Sequence, residues 1–137
     1  MNPYVTLILI EDDEDERRLI KRRLVNYGIH LPVLELSDGN AATDLIRRRG
    51  LPHPHVIILD LNLPLVTGHK VLEALRIDPL TKFSPVFIMS SSNSPRDKEV
   101  CRLLKANDYF VKEECGTELL PLLEAVKKQI EVLTPKS

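Results

Sequence analysis

Val56-Ile57-Ile58-Leu59-Asp60-Leu61-Asn62-Leu63-Pro64 is the stretch on which the fold turns. Four apolar residues run without alternation and stop abruptly at a carboxylate. A strand that is apolar at every position is buried on both faces, the habit of a parallel sheet covered by helices on each side. Runs of the same kind flank it. Val5-Thr6-Leu7-Ile8-Leu9-Ile10 and Val33-Leu34-Glu35-Leu36 come before, and Val86-Phe87-Ile88-Met89 and Tyr109-Phe110-Val111 come after.

The segments between these runs carry helical periodicity. Leu19, Ile20, Leu24 and Tyr27 share one face of a first helix, and Ala41, Ala42, Leu45 and Ile46 that of a second. Val71, Leu72 and Leu75 mark a third, Val100, Leu103 and Leu104 a fourth, and Leu119, Leu123, Val126, Ile130 and Leu133 a fifth. Ser94 before Pro95, with Asp97 and Glu99 in the first turn, predicts an N-cap followed by proline at the first helical position. Thr117 is placed to cap the last helix, with Pro121 at the edge of its first turn. Gly28 and Gly50 predict the ends of the first two helices. A strand and a helix repeated five times imply right-handed crossovers and a doubly wound α/β sheet.

The 137 residues suit a single domain over 1–137, with Thr134 to Ser137 expected as a frayed tail. Apolar residues make up 43% and charged residues 28%, an ordinary globular balance with enough apolar material for a core. The 19 basic and 20 acidic residues leave a formal charge of -1, which argues against sequence-blind binding to nucleic acid. No apolar run approaches the ~20 residues that span a bilayer. The run from Val5 is too short for a signal-peptide core and follows no basic stretch, so no membrane association is expected. Cys101 and Cys115 form no CxxC, which leaves a disulfide framework or a zinc site poorly supported and predicts a reduced, cytoplasmic protein.

In an open α/β sheet, ligands sit outside the carboxyl ends of the strands. Glu11 and Asp12 follow the first run, Asp60 the third, Ser90 the fourth and Lys112 the fifth. If those strands are neighbours, three carboxylates, a hydroxyl and an ammonium converge. Carboxylates so gathered either rise in pKa or share a cation. Ligands that are all oxygen suit magnesium, whereas zinc prefers nitrogen or sulfur. A carboxylate beside magnesium is a nucleophile toward phosphorus, and ordinary aspartates need no general base at neutral pH. The cation and one ammonium can then neutralise the equatorial oxygens. Lys112 and the Ser90 hydroxyl fit the supporting roles. Ser90 opens the triple Ser90-Ser91-Ser92 and is preferred because it directly follows the apolar run.

Taken together, the segments ILIEDD from Ile8, IILDLNLP from Ile57 with Gly68 four residues beyond Pro64, PVFIMSS from Pro85 and YFVK ending at Lys112 carry a resemblance. Over essentially its whole length the chain resembles the receiver domain of two-component response regulators. The resemblance implies a flavodoxin-like three-layer α/β/α sandwich, with a parallel five-stranded sheet in the order 2-1-3-4-5 and five helices. It implies that Asp60 accepts a phosphoryl group from a sensor histidine kinase. Asp12 would bind Mg2+ directly, Glu11 through water, and Asp60 and the backbone carbonyl of Asn62 would complete the metal set. Ser90 would be the switch hydroxyl, Lys112 the phosphate-binding ammonium, and Tyr109 the aromatic that changes rotamer with Ser90. Output would pass through the face of the fourth helix, fifth strand and fifth helix, to another protein or to a homodimer. The DLNLP and IDPLTKFSP stretches are most similar to the stand-alone regulators of phytochrome-type kinases. Such a protein signals and is not an enzyme in the usual sense.

Glu113 departs from the pattern, since the family usually has proline after the lysine, often in a cis peptide. A cis bond to a non-proline residue costs ~2.5–4 kcal/mol, so the bond is either trans or strained. The departure keeps open a pseudo-receiver that docks without phosphorylation. A haloacid-dehalogenase-type phosphatase is the enzyme alternative, but it looks for DxD and Asn62 cannot serve as its second acid. Asp13 to Glu16 read as an acidic helix start. Arg17, Arg18, Lys21 and Arg22 read as a solvated helix face, with kinase docking as a second role. Arg23 falls inside the apolar arc. His53, His55 and His69 lie in or near loops, a His53-Pro54-His55 metal site lacks a third ligand, and Cys115 reads as an inert thiol.

Overall fold

The computed structural model describes residues 4–136. Five parallel strands, β1 (Thr6–Ile10), β2 (Val33–Leu36), β3 (His55–Leu59), β4 (Val86–Ser90) and β5 (Asp108–Val111), form one sheet in the order β2-β1-β3-β4-β5. The helices are α1 (Glu14–Asn26), α2 (Gly39–Arg47), α3 (Gly68–Ile77), α4 (Pro95–Leu103), α5 (Lys112–Cys115) and α6 (Leu120–Leu133). The flavodoxin-like order and layering agree with expectation. The expected fifth helix is α6, and a single helical turn, α5, precedes it.

Alternation along the strands builds two cores. Leu7, Leu9, Val56, Ile58, Phe87 and Met89 pack with Ile20 and Leu24 of α1 and Leu122, Leu123 and Val126 of α6. Ile8, Ile10, Ile57, Leu59, Val86 and Ile88 pack with Ala42 and Ile46 of α2, Val71, Leu72 and Leu75 of α3 and Cys101 of α4. Every residue of β3 is buried, as its unbroken apolar run predicts. Each such side chain contributes roughly 1.5–3 kcal/mol.

Local chemistry starts most of the helices. Asp13 accepts from the Asp15 and Glu16 amides, Asp38 from Ala41, and Ser94 from Asp97. Pro95 then opens α4 as predicted. Thr117 does not cap the last helix. Leu119 holds the N-cap position in the left-handed region with no side-chain cap, and its own side chain is buried. Core packing of Leu119 therefore sets where α6 begins. The Thr117 carbonyl instead accepts from Arg23 Nε at 2.8 Å, which accounts for an arginine within the apolar arc of α1.

Other expectations shift locally. On α4, Cys101 faces the core while Leu103 is 63% exposed. Two residues along a helix turn the face by roughly 200°, so both cannot be inside. Gly28 ends the first helix with φ +85°. At the end of the second, Arg49 takes the left-handed conformation and Gly50 donates to the Leu45 carbonyl. His55 is a buried strand residue, its ring nitrogens 2.6 Å from the Pro52 carbonyl and 2.7 Å from Ser84 Oγ. Burial pushes its pKa down. Arg76 of α3 donates to the carbonyls of Leu104 (2.8 Å), Lys105 (3.0 Å) and Ser84 (2.9 Å), tying the segment before β4 to the one between α4 and β5. No helix among the described residues is long and apolar enough to cross a membrane.

Candidate functional site

The end of β3 is held against the start of α3 by a missing side chain. A Cβ on Gly68 would lie 2.3 Å from the Asp60 carbonyl oxygen and 2.6 Å from Leu61 Cα. Only glycine permits that approach, and the Gly68 amide uses it to donate to the Leu61 carbonyl at 3.0 Å. Asp60 is thereby fixed at the carboxyl end of the sheet, 5% exposed. Its Oδ1 accepts from the Asn62 amide at 3.1 Å, leaving Oδ2 toward the cleft and 3.5 Å from Lys112 Nζ.

β1 lies next to β3, so Glu11 and Asp12 arrive beside Asp60. One carboxylate oxygen from each of Glu11, Asp12 and Asp60 lies within 4.8 Å of the others. β5 delivers Lys112, whose Nζ donates to Glu11 Oε1 at 2.9 Å and lies 4.0 Å from Glu16 Oε1. The residues form an open cleft of about 490 Å³, lined also by Asp13, Asn62, Ser91 and Glu113. The donor set is all oxygen and strongly anionic, which fits a hard divalent cation with several retained waters.

The electrostatics follow from the crowding. Burial raises Glu11 to about 7; the Lys112 hydrogen bond opposes this and the neighbouring Asp60 charge adds to it. For Lys112, burial alone would lower the pKa. The bond to Glu11 and the charges of Asp60, Glu11 and Glu16 outweigh burial, so the ammonium is held above its ordinary range. The lysine thus stays protonated where it would meet a phosphoryl group.

The Ser90 side chain is fully buried at the end of β4, and its Oγ accepts from the Ser92 amide at 3.2 Å. Ser91 is the serine that lines the cleft, accepting from Asn62 Nδ2 at 3.2 Å. Tyr109 is half-buried, and its hydroxyl donates to the Ser92 carbonyl at 2.9 Å. Ser92 Oγ donates to Asp97 at 2.5 Å, and the other Asp97 oxygen is 3.0 Å from His69 Nε2. Sequence reading had no signal for this bond chain from Tyr109 to α3, because its members lie in different elements. Nor did it place Glu16 in the cleft. The Lys112–Glu113 bond is trans, and α5 begins at Lys112. Burial raises the Cys115 thiol, in keeping with an inert cysteine.

A sheet in this order with an acidic pair, an aspartate and a lysine at its carboxyl edge defines a receiver-type signalling domain. Residues 7–124 match the response regulator receiver domain, and the chain belongs to that family. The matched family is the receiver domain and not a haloacid-dehalogenase-type phosphatase. Response regulator Rcp1 of Synechocystis sp. is 29% identical over 130 residues, covering 92% of this chain and 88% of its own. The crystal structure of Mn(2+)-bound Rcp1 superposes with a TM-score of 0.81 at 27% identity, over 96% of this chain and 99% of that one. That of the phosphorylated cyanobacterial phytochrome response regulator RcpA gives 0.79 at 29% identity, over 90% and 91%. The likeness to phytochrome regulators read from DLNLP and IDPLTKFSP agrees with these relatives.

Proposed function

We propose that Asp60 accepts a phosphoryl group from the phosphohistidine of a sensor histidine kinase, of phytochrome type, with Mg2+ held by Glu11, Asp12, Asp60 and the Asn62 carbonyl. The observation that carries this reading is the placement of Lys112 Nζ, 2.9 Å from Glu11 and 3.5 Å from Asp60, above three converging carboxylates. Bound there, the cation would neutralise charge on the transferring group. Asp60 Oδ2 forms the new O–P bond while the N–P bond to the donor imidazole breaks, and the imidazole keeps the electron pair. Lys112 exchanges part of its contact with Glu11 for a phosphoryl oxygen. Ser90 supplies a hydroxyl to another such oxygen, and Tyr109 changes rotamer as the β4–α4 segment follows. The Tyr109–Ser92–Asp97–His69 chain gives that movement a route to α4 and α3. The α4-β5-α6 face then presents a second arrangement to a partner protein or a second copy. The match spans 88% of the length of Rcp1, which supports carrying the receiver reading over from that relative.

Intact mass after incubation with acetyl phosphate and Mg2+ tests the reading. One added phosphoryl group on wild type, absent in Asp60→Asn and without metal, is the expected result. No adduct at any Mg2+ concentration would overturn it in favour of a phosphorylation-independent docking module. Size-exclusion of the phosphorylated sample would report the homodimer.

A further inference from the structure

Arg17 reads from sequence as part of a solvated basic face, but the structure turns it inward. Its side chain is 17% exposed, against 59% for Arg18. Arg17 Nη1 donates to the Glu11 carbonyl at 2.8 Å and to the Asp12 carbonyl at 3.1 Å. Its Nε donates to Glu35 Oε1 on β2 at 3.2 Å, and the other Glu35 oxygen accepts from Lys21 at 2.9 Å. One planar group therefore spans the acidic loop and the neighbouring strand. A guanidinium carries five donors in a fixed fork, whereas a lysine offers a point charge and cannot reproduce the geometry.

The remaining bonds of the loop act in the same sense. The Glu11 amide donates to the Leu36 carbonyl, and the Asp13 amide to Glu11 Oε2. The Arg17 amide returns to the Asp13 carbonyl. Of the two peptide planes after Glu11 and Asp12, these bonds touch only the second, through the Asp13 amide. Those planes set the directions in which both carboxylates leave the backbone. Arg17 holds both carbonyls from behind.

We infer that Arg17 is a positioning residue for the divalent cation, orienting the Glu11–Asp12 loop through its two carbonyls with Glu35 as anchor. The inference rests on the metal reading under Proposed function. Two effects of the guanidinium oppose each other. Its fork preorganises the carboxylates, which strengthens cation binding, while its charge repels a cation, which weakens it. The geometry points to preorganisation as the larger effect, because three directed bonds converge on one half-buried group. Groups that orient metal ligands typically change affinity 10–100-fold when removed.

Calorimetric titration of the full chain with Mg2+, and with Mn2+, tests this without any phosphodonor. Arg17→Lys and Arg17→Ala are expected to weaken binding about tenfold. Glu35→Gln should weaken it by a smaller factor, and Arg18→Ala should match wild type. Wild-type affinity in Arg17→Lys would overturn the inference, since charge alone would suffice. Tighter binding by Arg17→Ala would overturn it too, since repulsion would then dominate. A purely structural role would lower the stoichiometry through loss of folded molecules and leave the affinity of the rest unchanged. If wild type binds no cation, the metal reading and this inference fall together. If binding is lost in Asp12→Asn but intact in Arg17→Lys, only the inference falls.

Discussion

The buried carboxyl of Glu11 should make the metal-free protein lose stability as pH rises. Glu11 is 2% exposed, and its pKa stands near 7 against an ordinary 4.5. Between those values the folded state holds the proton more tightly than the unfolded chain. Stability therefore falls with rising pH over that interval, and the loss is complete once pH passes about 7. At 1.36 kcal/mol for each unit of pKa, the loss is about 3 kcal/mol, or roughly 10 °C in Tm for a domain of this size. Glu11→Gln cannot titrate and should lack this fall. His55 acts with the opposite sign. Burial lowers its pKa, so stability rises with pH through the ordinary histidine range in both proteins, and its contribution cancels in the difference. Lys112 is held above 10.5 and does not titrate in this window. Urea denaturation of both proteins from pH 5 to pH 8 in chelator, at constant m, measures the gap. Parallel pH dependences for wild type and Glu11→Gln would refute the reasoning.

Two further outcomes follow from the packing. Gly68→Ala places a methyl 2.3 Å from a backbone oxygen that cannot swing aside, so denaturant unfolding should show a loss of about 3 kcal/mol, the upper end for overpacking; a change under about 0.5 kcal/mol would show that α3 can retreat. Arg76→Lys keeps the charge but cannot reach the Leu104, Lys105 and Ser84 carbonyls together, and should cost about 2–3 kcal/mol in the same assay. Stability within error of wild type would show that this tie contributes nothing to the fold.

Much of the architecture was legible because strands buried on both faces leave an unambiguous apolar run, as β3 and β4 do. The strand-end residues were legible for the same reason, since a run that stops at Asp60 or Lys112 marks the edge where ligands gather. The start of α6 was not. Thr117 offered a plausible cap, but Leu119 gains more by burying its side chain, and burial is a tertiary property. The face read for α4 from Val100, Leu103 and Leu104 is likewise turned in the structure, where Cys101 is buried and Leu103 exposed, because only the sheet decides which apolar residue faces it.

By itself the sequence determined the alternation of strands and helices, the parallel sheet and the strand-end positions of Glu11, Asp12, Asp60, Ser90 and Lys112. These are one-dimensional properties, carried by runs, caps and strand ends. The tertiary structure alone decided that Lys112 reaches Glu11 at 2.9 Å and that Arg17 leaves the solvated face for the acidic loop. It alone joined Tyr109, Ser92, Asp97 and His69 into one bond chain. Long polar side chains have many rotamers, and their partners lie on other elements. Packing selects among those rotamers only once the layers have closed.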